Sequence, residues 1–295
     1  MKPVFRLLVF ALLLVGCTKE FPIDVADSTS TEEPQTEPTY TPTGNLVLYV
    51  DSLGMMPFSE TDACCTHLCF AIYDMDGARV KQTNQKLGDN HYGAVGIRLD
   101  EGVYRVVVVA HSGTKNPTMT NPAKIQFNSS TGYTDTYLYH DTVKVTASQQ
   151  RLHLALRRIT ALCRFVVSDT VPDGVTQMQY TWQGGSAHFD AATGLGVTVS
   201  TQTVTCDVLP GQTDLRTDLY TIPFSSEEDT LRLEVVALDT DGNRVKERTF
   251  SVPVRCNRIT WFAGCFFSES NSDEWTITPD QNFDSSWPDE MYLTY

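Results

Sequence analysis

The stretch Arg151-Leu152-His153-Leu154-Ala155-Leu156-Arg157-Arg158 decides the fold class. Its leucines alternate with Arg151, His153 and Arg157, and a period of two is the signature of a strand with one buried face. Working outward, the same kind of reading recurs. Leu46, Leu48 and Val50 alternate with other residues, and Val103 to Ala110 is a β-branched run long enough for a central strand. Ile159, Ala161, Cys163, Phe165 and Val167 are expected on one face of a further strand. Leu231, Leu233, Val235 and Ala237 alternate with Arg232 and Glu234, and Ile259 to Phe267 reads as the last strong apolar strand. Asp76-Gly77, Asp100-Glu101-Gly102, Pro172-Asp173-Gly174, Pro210-Gly211 and Asp241-Gly242 supply turn chemistry between the runs. Short strands punctuated in this way, with almost no helical pattern, argue for an all-β chain of β-sandwiches.

A local repeat supports the hairpin reading. Residues 74 to 81, Asp-Met-Asp-Gly-Ala-Arg-Val-Lys, match residues 239 to 246, Asp-Thr-Asp-Gly-Asn-Arg-Val-Lys, at six of eight positions. Each follows an apolar run and precedes a polar one, as a tight hairpin does. The D-x-D-G start is also that of a calcium loop. Such a loop needs a glutamate at its twelfth position, where this chain has Gln85 and Phe250.

The amino terminus carries a different signal. Lys2 and Arg6 precede Leu7 to Val15, an unbroken run of nine apolar residues. Nine residues are too few for a spanning helix, which takes about 20, and the pattern is that of an export signal. It closes on Leu14-Val15-Gly16-Cys17, which resembles the lipobox of signal-peptidase-II substrates. That resemblance implies cleavage after residue 16 and acylation of Cys17, with the membrane reached through that lipid. Residues 17–44 then form a lipidated flexible tether. From Ser28 to Pro38 it has no apolar residue to bury, and Pro, Thr, Ser and Glu favour a solvated chain. The expected order is a signal peptide over 1–16, the tether over 17–44, an N-terminal β-sandwich domain over 45–157 and a C-terminal one over 158–268. An acidic tail or edge strand over 269–295 completes it. The domain boundary falls near Arg157-Arg158, without linker composition.

The formal charge of the whole chain is -14, and losing Lys2 and Arg6 with the signal takes it to -16. A surface this acidic excludes nucleic acid as a partner and disfavours anionic lipid. Eight cysteines are present. With Cys17 committed to lipid, the odd remainder cannot pair completely within the chain.

No constellation carries catalytic spacing. Cys64-Cys65-Thr66-His67-Leu68-Cys69 is the densest cluster, and Cys65 with Cys69 has the spacing of a zinc half-site, but no second pair exists. Nothing in the sequence points to a thiolate-favouring niche there. In a strand, Cys69 would share a face with His67 and Tyr73, opposite Leu68, Phe70 and Ile72. Gly184-Gly185-Ser186-Ala187-His188 is not a nucleophile elbow. No H-E-x-x-H and no phosphate-cradling loop occurs. The expectation is a non-enzyme with no catalytic residue, no metal site and no cofactor. Trp182, Trp261, Trp275 and Trp287 could stack on sugar rings. Trp261 lies in an apolar run and reads as core, while Trp275 and Trp287 lie in a polar stretch and could be exposed.

These features in order resemble the FimB-type fimbrillin-associated anchor proteins, lipoproteins that hold Bacteroidetes-type fimbriae in the outer membrane. His67 to Asp74 with Asp76-Gly77 is similar to the family's first-domain hairpin. Leu154 to Ala161 is similar to its domain junction, and Asn257-Arg258-Ile259-Thr260 through Gly264-Cys265-Phe266 to its closing strand region. The resemblance implies two tandem transthyretin-like β-sandwich domains and no catalytic residues. It also implies strand complementation with a fimbrial shaft or accessory subunit, at the cell surface of the outer membrane. A shaft subunit should carry a basic cleavage site before its first strand. Between Glu20 and Lys81 only Arg79 is available, which favours an anchor. The alternatives are a tethered carbohydrate-binding surface lipoprotein and a fimbrial tip or accessory subunit.

Overall fold

The computed structural model describes residues 42–59, 64–127, 133–268 and 286–295. Among these the regular structure is strand throughout, with no helix. The first nine strands are β1 (Leu46–Leu53), β2 (Met56–Pro57), β3 (His67–Tyr73), β4 (Arg79–Lys86), β5 (Ala94–Ile97), β6 (Gly102–His111), β7 (Ile125–Gln126), β8 (Tyr137–Val145) and β9 (Gln150–Arg158). There follow β10 (Ala161–Val167), β11 (Gln177–Phe189), β12 (Gly196–Asp207), β13 (Leu215–Thr221), β14 (Asp229–Leu238), β15 (Arg244–Val254), β16 (Arg258–Gly264) and β17 (Asp289–Thr294).

Strands up to Arg158, β7 apart, build one sheet in the order β2-β1-β9-β8-β6-β3-β4, with β5 against β1. Only Tyr137↔Arg158 and Leu138↔Arg157 join β8 to β9. That short seam lets the sheet curl so that Leu46, Leu48, Leu154 and Leu156 meet Leu68, Phe70, Ile72, Val106 and Val108 in one core. The founding alternation is the cause: Leu154 and Leu156 are buried while Arg151, His153, Ala155 and Arg157 are exposed. The β3 run is buried on both faces. Leu68, Phe70 and Ile72 enter this core, and Cys69, Ala71 and Tyr73 enter another.

The later strands form a sandwich of a four-stranded sheet, β13-β10-β16-β17, and a second sheet, β12-β11-β14-β15, with β7 added to β11. Phe165, Phe262 and Leu219 from the four-stranded sheet pack against Tyr180, Trp182, Leu233 and Phe250 from the sheet facing it. Each large apolar side chain so buried stabilises the fold by about 1.5–3 kcal/mol. Ile159 departs from the expected face. The chain leaves β9 at Arg158, the Ile159 N–H donates to Thr136 O at 2.9 Å, and β10 starts only at Ala161. The two-residue break ends the alternation, and Ile159 joins Cys69 and Tyr73 instead.

β11 connects the two sets of strands. Its first half pairs with β14, and its end pairs with β7 at His188↔Gln126 and Phe189↔Ile125. The bend lies at Gly184-Gly185. Gly184 has φ +99°, and a Cβ on Gly185 would lie 1.6 Å from Thr221 Oγ1. Only glycine permits this passage. Both D-x-D-G repeats are hairpin turns: Asp74 N–H donates to Ala78 O, and Asp239 N–H to Asn243 O, each at 3.0 Å. Gly77 and Gly242 hold φ of 86° and 79°. The apolar strand ends at Gly264, earlier than Phe267.

Candidate functional site

An all-β protein meets partners at its faces and edges, and an unpaired edge is a template for a further strand. Most edges here are guarded by charge or kept short. β4 carries Arg79, Lys81 and Lys86, and β13 carries Arg216 and Asp218. β15 carries Arg244, Lys246, Glu247, Arg248 and Pro253. β2 has two residues.

β12 differs. It pairs with β11 alone among the described residues, and from Gly196 to Cys206 it has no charge and no proline. Valine and threonine dominate, which suits a pleated strand. Val199 is 69% exposed and Val197 43%. Its outer face continues an uncharged ladder across β11: Gln183 to Thr201, Thr181 to Thr203 and Gln179 to Thr205, at 3.1, 3.1 and 3.4 Å. The inner face holds the buried Gln202. Beside its first half opens a polar cleft of about 660 Å³ lined by Lys115, Asn116, Gln126, His188, Ser200 and Thr201.

β17 is the second distinctive edge. It lies parallel to β16, from Arg258↔Asp289 to Ala263↔Thr294. Its own sequence is polar, and neighbours hold it. Arg255 pairs with Asp289, and Trp261 Nε1 donates to Glu290 at 3.0 Å. The Tyr292 ring stacks on Trp261 at 5.9 Å. Tyr295 enters the sandwich end against Phe165, Phe250 and Phe262, with centroids 4.7–5.0 Å away. Its hydroxyl donates to Val166 O at 3.0 Å.

Arg158 ties β17 to the first sheet. The alternation of β9 places it on the inward face, and its side chain is only 3% exposed. Its Nε donates to both Asp135 oxygens at 2.8 and 3.0 Å. Nη1 donates to Ser286 O at 2.7 Å and to Asn257 Oδ1 at 3.3 Å, and Nη2 to Tyr137 Oη at 2.6 Å. The guanidinium lies 3.8 Å over the Trp287 ring. Burial works against its charge. Asp135, first among the opposing causes, holds the pKa above the usual arginine value.

Among the described residues the tryptophans offer no exposed platform. Trp287 is 3% exposed, under Arg158, because β17 draws residues 286–287 into the junction; Trp182 and Trp261 are buried in the core. Cys17 and Trp275 lie outside the described residues.

The cysteine cluster runs into the start of β3. All seven described cysteines are free thiols, and among the described residues no group of three His, Cys, Asp or Glu is placed to hold a metal. Cys69 is buried, its Sγ 3.4 Å from Asn116 Oδ1 and 3.9 Å from His111 Nε2. Burial pushes its thiol up to about 12 and pushes His111 down to about 4, so the pair is neutral. Cys64 is exposed, and its pKa is lowered chiefly by the neighbouring Cys65 thiol, against burial and the Asp135 carboxylate, with smaller contributions from Tyr137 and Arg158. Ser186 is structural: its Oγ accepts N–H bonds from His188 and Thr198 at 3.0 and 3.3 Å.

Fold and edges together define an all-β sandwich protein. By sequence, residues 60–294 match DUF6562, a family of unknown function, and the chain belongs to that family. The match does not carry the FimB-type name. No curated protein matches. Among solved structures, a candidate adhesin from Bacteroides ovatus is 15% identical, over 70% of this chain and 82% of that one, with a TM-score of 0.47. A candidate polysaccharide-binding protein from Bacteroides thetaiotaomicron is 12% identical over 70% and 80%, with a TM-score of 0.43. The fimbrial anchor protein Mfa2 from Porphyromonas gingivalis is 14% identical over 69% and 81%, with a TM-score of 0.41.

Proposed function

We propose that this chain is an outer-membrane lipoprotein, acylated on Cys17, that anchors and terminates a fimbrial polymer by β-strand complementation. The observation that carries the reading is β12, an uncharged edge from Gly196 to Cys206 with β-branched residues exposed along it. Soluble proteins normally suppress such an edge with lysine, proline or brevity. A protein that accepts an extended strand from a fimbrial subunit keeps it open. The backbone then supplies affinity and the alternating side chains supply register. The lipobox and the proline-rich tether supply the membrane end, and two sandwiches over 45–157 and 158–268 supply the body.

Deleting the gene in the native host tests this. Assembled fimbriae should appear in the culture medium with their length distribution unbounded at the cell end. Normally attached fimbriae in the deleted strain would overturn the reading. So would binding of a glycan by the purified chain with no fimbrial subunit retained.

A further inference from the structure

The polar cleft of about 660 Å³ beside the first half of β12 has a volume in the range of small-ligand sites. The loop after β6, the pairing of β7 with the end of β11, and β12 itself build its walls. These walls offer hydrogen-bond donors. Gly113 N–H donates to His111 Nδ1 at 3.1 Å, which leaves the ring proton on Nε2. That nitrogen lies 3.9 Å from Cys69 Sγ and has Asn116 as a further hydrogen-bond partner. The Cys69 thiol donates to Asn116 Oδ1 at 3.4 Å. Two buried donors therefore turn the Asn116 amide oxygen inward, and its amide nitrogen remains for the cleft that Asn116 lines. Thr201 Oγ1 accepts from Gln183 Nε2 at 3.1 Å, so its hydroxyl hydrogen is still available to donate. Lys115 lines the cleft with no ion pair among the described residues, and no aspartate or glutamate lines it. Lys124 is near enough to His188 to act on its charge. His188 Nδ1 is buried with no hydrogen-bond partner among the described residues. In a chain of formal charge -14 this is a locally positive, donor-rich surface.

We propose that this cleft binds an acidic sugar, a uronate within a polysaccharide, through its carboxylate and its hydroxyl oxygens. Lys115 meets the carboxylate charge, and the Asn116 amide nitrogen donates a charge-assisted hydrogen bond to it. The amide of Gln126 and the hydroxyl of Thr201 suit the neutral oxygens of the ring. A single small anion leaves most of the volume unfilled, whereas a sugar ring and its neighbour occupy it. Cys69 and His111 act through Asn116 and are positioning residues. Cleavage of a glycosidic bond takes a pair of carboxyl groups, and the lining has none, so the sugar is bound and left intact. The inference does not rest on the anchoring role, and either can hold without the other.

The test uses the full chain in detergent, titrated calorimetrically with trigalacturonate, and with neutral galactotriose and triglutamate for comparison. Trigalacturonate should bind roughly tenfold more tightly than either of the others. Lys115→Met should weaken it by roughly tenfold, the size of one lost charge-assisted hydrogen bond. Asn116→Asp keeps the shape, turns the donor into a negative charge, and should weaken it further. Lys144→Met, on β8 and outside the cleft, should leave it unchanged. Equal binding of galactotriose would overturn the proposal, because the carboxylate would then contribute nothing. Equal binding of triglutamate would overturn it in favour of an acidic peptide. No binding of trigalacturonate, or unaltered affinity in Lys115→Met, would do the same. Lys115 and Asn116 are both exposed, and the comparison of probes on the unaltered chain decides the question whether or not a variant folds.

Discussion

Replacing Arg158 by alanine should be among the most damaging single changes in this protein. The substitution removes the hydrogen bonds to Asp135, Tyr137, Asn257 and Ser286 and the cation–π contact with Trp287. Removing one partner of a buried ion pair costs about 3–5 kcal/mol, mainly because the other charge is left uncompensated. The Asp135 side chain is 21% exposed, so water can relieve part of that and the low end, about 3 kcal/mol, is the better figure. Most folded domains are stable by about 5–15 kcal/mol, so the loss is a large fraction. With a urea slope of about 3 kcal/mol/M, the midpoint of unfolding should fall by about 1 M. Arg158→Lys should recover less than half, because an ammonium can neither fork to a carboxylate nor stack on indole as a guanidinium does. The double variant Asp135→Asn with Arg158→Met should be markedly more stable than the sum of its single changes. A shift below about 0.3 M for Arg158→Ala would refute the view that this guanidinium binds the first sheet to β17.

Acid should weaken the fold through His111. It is buried, stacked 5.0 Å from His67, and its pKa is pushed down to about 4. Between the unfolded value of about 6.5 and that folded value the unfolded chain binds more protons. Stability is therefore fully present above about pH 6.5 and falls by about 3 kcal/mol as pH drops to about 4. Urea midpoints across this range should show that decline in the native chain and lose it in His111→Gln. Tyr295→Ala should cost about 2–4 kcal/mol, because it empties the aromatic end of the sandwich; an unchanged thermal midpoint would contradict the packing described. Cys17→Ala should lose metabolic palmitate label and leave the membrane fraction, whereas membrane retention in that variant would exclude lipid at this cysteine as the anchor.

What the sequence revealed depended on where the chemistry was local. The alternation of Arg151 to Arg157 marks β9 and its buried face because every residue involved lies within one strand. It also places Arg158 on the inward side, yet its partners Asp135 and Trp287 are distant in sequence, so the hub could not be read. For 269–295 the sequence leaves an acidic tail and an edge strand both open, because Asp289 to Thr294 is polar on its own; the order of β17 comes from Arg255, Trp261 and Phe165. The signal for β12 was present. Val197 to Thr205 is a β-branched run between Gly196 and Asp207, and reading threonine as a strand former would find it. The polar surroundings of Trp287 suggest solvent, while the fold supplies a guanidinium as its cover.

Co-purification from detergent-solubilised outer membranes of the native host tests the anchoring role most directly. The unaltered chain should be compared with Val199→Lys/Thr203→Lys. Both substitutions lie on the exposed face of β12, so folding stability should change by less than about 0.5 kcal/mol. Lysines along an edge oppose strand addition. If β12 accepts the strand, a fimbrial subunit comes down with the unaltered chain and at least tenfold less comes down with the double variant. Equal recovery by both chains would remove β12 as the accepting edge, and the absence of any fimbrial subunit from the unaltered chain would contradict the anchor itself.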